Sequence, residues 1–280
     1  MNKVVYVGNR PSVLKKLIEH NSVNLVKAFI IDQPLINYDN SDDWLERIDA
    51  KSDLQKITAY VANQDFDLFV SAGCSYILPV NNFPNNKTYI NCHPSVLPWG
   101  KGIHPINECF IGEHNLFGAT IHYLSAALDG GDIIEQVQYD LTPDIDISLL
   151  YTSIFEIEAD LLELSINKLI ENNFKYIGKK QTGSGSYFSR KNDLVTISST
   201  DSTVENFLNY FRGFSSSQVG IVVASEQGSF RVFSATQINN EFFIDKFKHI
   251  MPGNICVKTK DVLVLQFNNG LVYIKKWEKI

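Results

Sequence analysis

No stretch of this sequence stays apolar for long. The longest apolar runs, such as Gly220-Ile221-Val222-Val223-Ala224, fall far short of the roughly 20 residues that a membrane span requires. Positive charge is not in excess either. Lys and Arg number 25 against 31 Asp and Glu, a net charge of -6 with His neutral, which disfavours a polyanionic partner without excluding a local basic patch. Cys74, Cys92, Cys109 and Cys256 form no CxxC pair, and each lies in an apolar or strand-like context. They read as buried free thiols in a reducing, cytoplasmic compartment. The N-terminus, Met1-Asn2-Lys3-Val4-Val5-Tyr6-Val7-Gly8, carries one positive charge and a short β-branched run ending at glycine. It therefore reads as a first strand and not as a secretory leader. The turn after it has no GxGxxG, which weakens a dinucleotide-dependent dehydrogenase. There is no internal repeat. What remains is 280 residues, 44% hydrophobic and 12% aromatic, enough for a sizeable core in one large or two smaller domains.

The first third alternates strand and helix. Val4 to Val7 reads as a strand, Gly8-Asn9-Arg10-Pro11-Ser12 as a turn, and Val13 to His20 as a helix with Val13, Leu14, Leu17 and Ile18 on one face. Leu25 to Ile31 is a second strand, Asp32 to Ser41 a loop, and Trp44 to Asn63 helical with interruptions. Asp67 to Val70, ending at Ser71-Ala72-Gly73, and Thr88 to Asn91 are further strands. This order predicts an α/β fold: a Rossmann-like, mostly parallel sheet with helices on both faces. Ligands bind such sheets beyond the carboxyl ends of the strands, where the polar residues gather here.

Further along, Pro105 to Gly112 reads as a short helix. Ala119 to Leu124 and Ile133 to Tyr139 read as adjacent antiparallel strands. Ile145 to Asn172 is a long helix whose broad apolar stripe, including Leu149, Leu150, Ile154, Ile157, Leu161, Leu164, Ile166, Leu169 and Ile170, packs on the sheet. Composition changes at Gly178 to Ser189, a linker or a substrate-lining loop. A helix over Thr203 to Phe214 follows. Short strands over Gln218 to Ala224, Phe230 to Thr236, Ile255 to Val257, Val262 to Phe267 and Val272 to Trp277 then form a small β-rich C-terminal domain. The expected division is residues 1–178, a linker over 179–200, and 201–280.

The chemistry concentrates in Ile90-Asn91-Cys92-His93-Pro94-Ser95-Val96-Leu97-Pro98. Side chains two apart on a strand share a face, so Asn91 and His93 meet one substrate. Pro94 stops the strand, leaving His93 at its end. An amide donor suits a developing oxyanion and an imidazole moves a proton, a pairing fit for acyl transfer. Taken alone, the same pair fits an Asn satisfying a turn beside a hydrogen-bonded His.

The surrounding residues narrow the choice. Asn91-Cys92-His93-Pro94-Ser95-Val96-Leu97-Pro98, followed by Gly100-Lys101-Gly102, resembles the folate-dependent formyltransferase family, in which a strand ends in Asn-x-His-Pro-Ser-x-Leu-Pro before a glycine loop. A second family block follows in order: Gly118-Ala119-Thr120-Ile121-His122, then Asp129-Gly130-Gly131-Asp132. The resemblance spans about Met1 to Gly178. It implies that Asn91 holds the oxyanion, that His93 assists proton transfer, and that Asp129 couples to His93 and takes the amine proton. His122 is placed by it in a packing or supporting role. The resemblance also implies N10-formyltetrahydrofolate as co-substrate, with no metal. Its pteridine would lie against Tyr76, Ile77 and Leu78 and against Ser125, Ala126, Ala127 and Leu128, with Asp132 binding or capping the loop. For Ile77 and Leu78, core packing is the plainer alternative.

The acceptor amine is less fixed. Gly8, Asn9 and Arg10 open a helix and offer phosphate donors, but the loop lacks the second glycine of the glycinamide ribonucleotide branch. Tyr187-Phe188-Ser189-Arg190 and Pro252-Gly253-Asn254-Ile255 resemble the C-terminal pattern shared by the methionyl-tRNA branch and the nucleotide-sugar N-formyltransferase branch. The loop Trp99 to Pro105 is closer to the latter. The resemblance thus implies a dTDP- or UDP-linked amino-deoxy sugar as acceptor, for surface polysaccharide biosynthesis. Asn9, Arg10 and Lys101 would face the diphosphate, and Trp99, His104, Tyr187 and Phe188 would line the base or sugar. The methionyl-tRNA reaction, hydroxylamine acceptors, and a non-catalytic module that binds folate or a nucleotide sugar are the alternatives. A homodimer through the β-rich domain is expected.

Overall fold

The computed structural model describes residues 1–31, 43–112, 114–189, 195–216 and 218–280. The loop reading of Asp32 to Ser41 and the position of Arg190 lie outside the described residues. In chain order the elements are β1 (Asn2–Gly8), α1 (Pro11–Glu19), β2 (Val23–Ile31), β3 (Leu45–Ile48), α2 (Leu54–Asn63), β4 (Leu68–Ala72), β5 (Thr88–His93), β6 (Lys101–Ile103), α3 (Pro105–Ile111), β7 (Leu116–Tyr123), β8 (Ile133–Asp140) and α4 (Ile147–Glu171). Then come β9 (Tyr187–Ser189), β10 (Thr196–Ser198), α5 (Val204–Phe214), β11 (Ile221–Ser225), β12 (Gly228–Ile238), α6 (Glu241–Phe247), β13 (Ile255–Lys258), β14 (Leu263–Phe267) and β15 (Gly270–Lys279).

Two compact units are present. The first comprises Met1–Pro105, Leu116–Asp140 and Tyr151–Ser189. Its sheet runs β3-β2-β1-β4-β5-β7-β8, parallel from β3 to β5 and antiparallel from β5 through β7 to β8. The expected α/β fold is present, and the reason is visible on β1. Val4 and Tyr6 point to one face, where Leu14 and Leu17 of α1 and Leu162, Ile166 and Leu169 of α4 cover them. Val5 and Val7 point to the other, where Ile57 and Val61 of α2 pack. With both faces buried, the strand reads as a continuous β-branched run instead of an alternation.

Leu45–Ile48, expected to be helical, is instead the edge strand of this sheet. Four residues carry too little periodicity to separate the two, and the exposed edge of β2 decides it. Three residues counted in apolar stripes, Ile18, Leu149 and Leu164, are exposed at 47, 54 and 59%. Their helices bury narrower faces than the composition suggests.

The second unit comprises Ile106–Asn115, Leu141–Leu150 and Arg190–Ile280. Its sheet runs β10-β11-β12-β15-β14-β13, all antiparallel except β10 with β11. Phe207 of α5 packs on Phe267 of β14 with ring centroids 5.0 Å apart. The β-rich reading holds there, while the helix α6 was not foreseen. No helix among the described residues is long and apolar enough to cross a membrane.

Candidate active site

The site forms where the sheet changes direction. β5 pairs in parallel with β4 and antiparallel with β7, so Asn91 lies opposite His122 and His93 opposite Thr120. After β5 the chain turns sharply, and Thr120 holds the turn. Its hydroxyl donates to the Ser95 carbonyl at 2.7 Å and accepts from the Leu97 N–H at 3.2 Å and from Gln136 Nε2 at 2.9 Å. That uses the one hydrogen and both lone pairs of the hydroxyl. Gln136 also donates to the Leu97 carbonyl at 2.8 Å. Thr120 is fully buried; the sequence marks it only as part of the Gly118–His122 block, with no role, and does not mark Gln136.

His93 is buried, and its Nε2 lies 2.8 Å from the Gly100 carbonyl. A carbonyl only accepts, so Nε2 carries the hydrogen and Nδ1 is left facing the site. Asp129 Oδ1 sits 3.8 Å from that Nδ1 and 3.7 Å from Nε2 of His122. Asp129 Oδ2 accepts the backbone N–H of Gly102 at 2.8 Å. The same logic fixes His122. Its Nδ1 donates to the Tyr123 carbonyl at 2.9 Å, so its Nε2 accepts from Asn91 Nδ2 at 3.2 Å. Burial pushes His122 down to about 4, more than the nearby Asp129 charge raises it, and the His93 and Lys101 charges add to the lowering. His122 is thus neutral at pH 7, and it orients the Asn91 amide.

Two glycines are required by this geometry. Gly102 has φ +96°, and a Cβ there would lie 2.6 Å from the Tyr187 ring. A Cβ on Gly131 would lie 1.7 Å from the Tyr123 carbonyl oxygen. Asp129 itself has φ +46°, a left-handed conformation that Asp tolerates better than most residues.

The remaining predicted residues divide. Lys101 lies close enough to act on His122, and β6 pairs in parallel with β9, setting Lys101 opposite Tyr187. Tyr187 is 62% exposed, Trp99 half-buried and His104 exposed with φ +64°. Ser125 is half-buried, with its hydroxyl donating to the Ala127 carbonyl, while Ala126, Ala127 and Leu128 face solvent beside Asp129. Asp132 is half-buried, and its carbonyl accepts the Tyr123 N–H. Ile77 is 79% exposed, whereas Leu78 is buried and Tyr76 partly buried in the core.

The turn Gly8-Asn9-Arg10 is committed internally. A Cβ on Gly8 would lie 1.8 Å from the Ala72 carbonyl oxygen. The Asn9 N–H donates to Ala72 and the Arg10 N–H to the Tyr6 hydroxyl at 2.7 Å. The Arg10 guanidinium stacks 3.9 Å from the Phe155 ring centroid, donates to Asn9 Oδ1 at 2.7 Å, and sets Nε 3.4 Å from Glu158 Oε2. Glu158 is fully buried. Burial raises its carboxyl to about 7, against the opposing pull of Arg10. These two N–H groups and this cation hold the fold together, which leaves little of the turn for a phosphate.

An amide, an imidazole and a carboxylate thus lie close together at the strand ends, a set of groups able to donate to an oxyanion and to move a proton. This chain belongs to the formyl transferase family, whose model, described as Formyl transferase, matches residues 10–166. Methionyl-tRNA formyltransferase from Syntrophus aciditrophicus (strain SB) is 28% identical over 214 residues, covering 75% of this chain and 65% of that protein, so the chain spans just under two thirds of that relative's length. Methionyl-tRNA formyltransferase from Staphylococcus aureus (strain Newman) is 24% identical over 296 residues, covering 98% and 91%. The solved structure of an N-formyltransferase from Helicobacter canadensis, in complex with folinic acid and dTDP-3-aminofucose, matches with a TM-score of 0.70 at 18% identity, covering 99% of this chain and 100% of that one. At that identity the likeness is one of fold.

Proposed function

We propose that this chain transfers a formyl group from N10-formyltetrahydrofolate to the amine of a dTDP- or UDP-linked amino-deoxy sugar, in surface polysaccharide biosynthesis. The observation that carries the reading is the convergence of Asn91, His93 and Asp129, with the free Nδ1 of His93 turned toward the carboxylate. The amine lone pair attacks the formyl carbon and the carbonyl electrons move onto its oxygen. Asn91 Nδ2, steered by His122, donates to that oxyanion, and His93 assists the proton transfer. Asp129 takes the proton that the amine loses. When the tetrahedral intermediate collapses, the bond to N10 breaks and N10 takes up the proton that Asp129 received, which returns the carboxylate to its starting form. A flat heteroaromatic ring suits the exposed apolar surface of Ala126, Ala127, Leu128 and Ile77. The relative in complex with folinic acid and dTDP-3-aminofucose supports this choice of substrates.

A second reading is favoured by the curated relatives' names: the amine of methionyl-tRNA. Charge weighs against it. Residues 195–280 hold nine Lys and Arg against seven Asp and Glu, few for gripping a nucleic acid. A reducing, cytoplasmic compartment and a homodimer through the β-rich unit belong to the proposal. The test offers N10-formyltetrahydrofolate with a panel of dTDP- and UDP-linked amino sugars and with methionyl-tRNA, read by mass spectrometry, with Asp129→Asn as control. One formyl mass gained on a sugar and lost in the variant is expected. Gain on the tRNA alone would replace the acceptor.

A further inference from the structure

We propose that Gln181 is a positioning residue for Asp129, acting within a strap of residues 179–189 that ties together the loops carrying Asp129 and His93. The proposal rests on the reading that Asp129 takes part in formyl transfer.

The strap begins beside the Asp129 loop. Lys179 and Ile133 exchange backbone hydrogen bonds of 2.8 and 2.7 Å at the start of β8. Two residues on, Gln181 Nε2 donates both of its hydrogens, to the Asp129 carbonyl at 2.8 Å and to the Gly131 carbonyl at 2.9 Å. Two acceptors at that distance allow only one orientation of the amide, because its oxygen would repel them. The other end of the amide, Oε1, is buried with no hydrogen-bond partner. Such a buried orphan is destabilising. An apolar side chain would avoid the cost but would not hold the two carbonyls. The first of these carbonyls belongs to Asp129 itself, whose left-handed conformation persists in an L residue only where its surroundings enforce it.

The far end of the strap fixes the partners of the same pair. The Ser186 N–H donates to Pro98, its hydroxyl accepts the Gly100 N–H at 2.8 Å, and its carbonyl accepts the Lys101 N–H. A Cβ on Gly185 would lie 2.2 Å from the Pro98 carbonyl oxygen, so the glycine serves close approach, not flexibility. β9 then pairs with β6. Gly100 supplies the carbonyl that holds His93 Nε2, and Gly102 the N–H that holds Asp129 Oδ2. One segment therefore sets the backbone under the carboxylate, the donor to it, and the acceptor behind the imidazole.

The test is a double-mutant cycle on the full chain. Gln181→Met is expected to lower kcat about 10- to 100-fold, the cost of a carboxylate misplaced by about an ångström, with KM for both substrates changed less than about 2-fold. In an Asp129→Asn background the same change should cost nothing further, measured in single turnovers by mass spectrometry. Deuterium exchange at the Gly102 amide should quicken in Gln181→Met. Gln181→Leu, which also lacks donors, replaces it if the Met variant does not fold, with the same expectations. Equal losses in both backgrounds, or unchanged kcat with unchanged exchange, would overturn the proposal. If the wild type formylates no amine, the reading of the site fails. The exchange measurement then still decides whether Gln181 holds the Asp129 loop.

Discussion

Asn91 is oriented by a neutral histidine. His122 is kept neutral by burial and locked by the Tyr123 carbonyl, so its remaining lone pair aims the Asn91 amide. Asn91→Ala removes an oxyanion donor and is expected to lower kcat about 100- to 1000-fold, with little effect on stability, as steady-state kinetics will report. The pH response has two opposing parts. His122 titrates at about 4 in the fold and near 6.5 unfolded, so the unfolded chain binds more protons between those values. Its stabilising contribution is full above 6.5 and lost as pH falls toward 4. Glu158 is raised from 4.5 to about 7, so the folded chain binds more protons between those values. Its contribution is full below 4.5 and lost as pH rises through 7. Glu158→Gln abolishes only the second part. Thermal midpoints at pH 5 and pH 8 should therefore show the variant gaining on the wild type at the higher pH. A constant difference between the two proteins would refute the assignment.

At the scale of elements, the reversal after β5 depends on β7 and β8. Thr120 on β7 fills all its hydrogen-bonding positions with groups of the Ser95–Leu97 turn and with Gln136 of β8. Thr120→Val keeps the shape but leaves the Ser95 carbonyl and the Leu97 N–H unpaired and buried. The expected loss is on the order of 1–3 kcal/mol in urea denaturation, accompanied by a drop in kcat because His93 heads the turn. The Gly118-x-Thr120-x-His122 spacing has a physical basis here. Thr120 and His122 share one face of β7, one holding the turn and the other the Asn91 amide.

For the molecule as a whole, the balance of charge bears on the acceptor. With a net charge of -6, a small nucleotide-linked substrate should feel salt only modestly. Raising salt from about 50 to 200 mM should lower kcat/KM for the sugar less than about tenfold, where an acceptor held by 6–10 phosphate contacts would lose roughly 10³–10⁵. A steep salt dependence would favour the tRNA reading. Within the first unit both sheet faces are covered by helices, so reacting groups are left to gather beyond the strand ends.

The α/β class and the placing of Asn91 and His93 on one strand face were legible in the sequence, because strand alternation and the period of two are local properties, whereas the two motif blocks were legible through the family resemblance. Local pattern served in part for α4, whose Ile166 and Leu169 pack on the sheet while Leu149 and Leu164 of the same stripe are exposed. It failed at Leu45–Ile48, which is too short for its period to be read and takes its state from the open edge of β2. Composition left Gly183-Ser184-Gly185-Ser186 open between a linker and a substrate-lining loop, and only the tertiary structure shows the glycine at 185 lying against Pro98. The place of Arg10 before a helix suggests a phosphate donor, and only the fold sets Glu158, 148 positions away on α4, against its guanidinium. Which nitrogen of each histidine bears the proton, and what holds Asp129 in place, depend on carbonyls and amides brought close by pairing between distant segments. Those distances are properties of the tertiary structure, and no spacing along the chain encodes them.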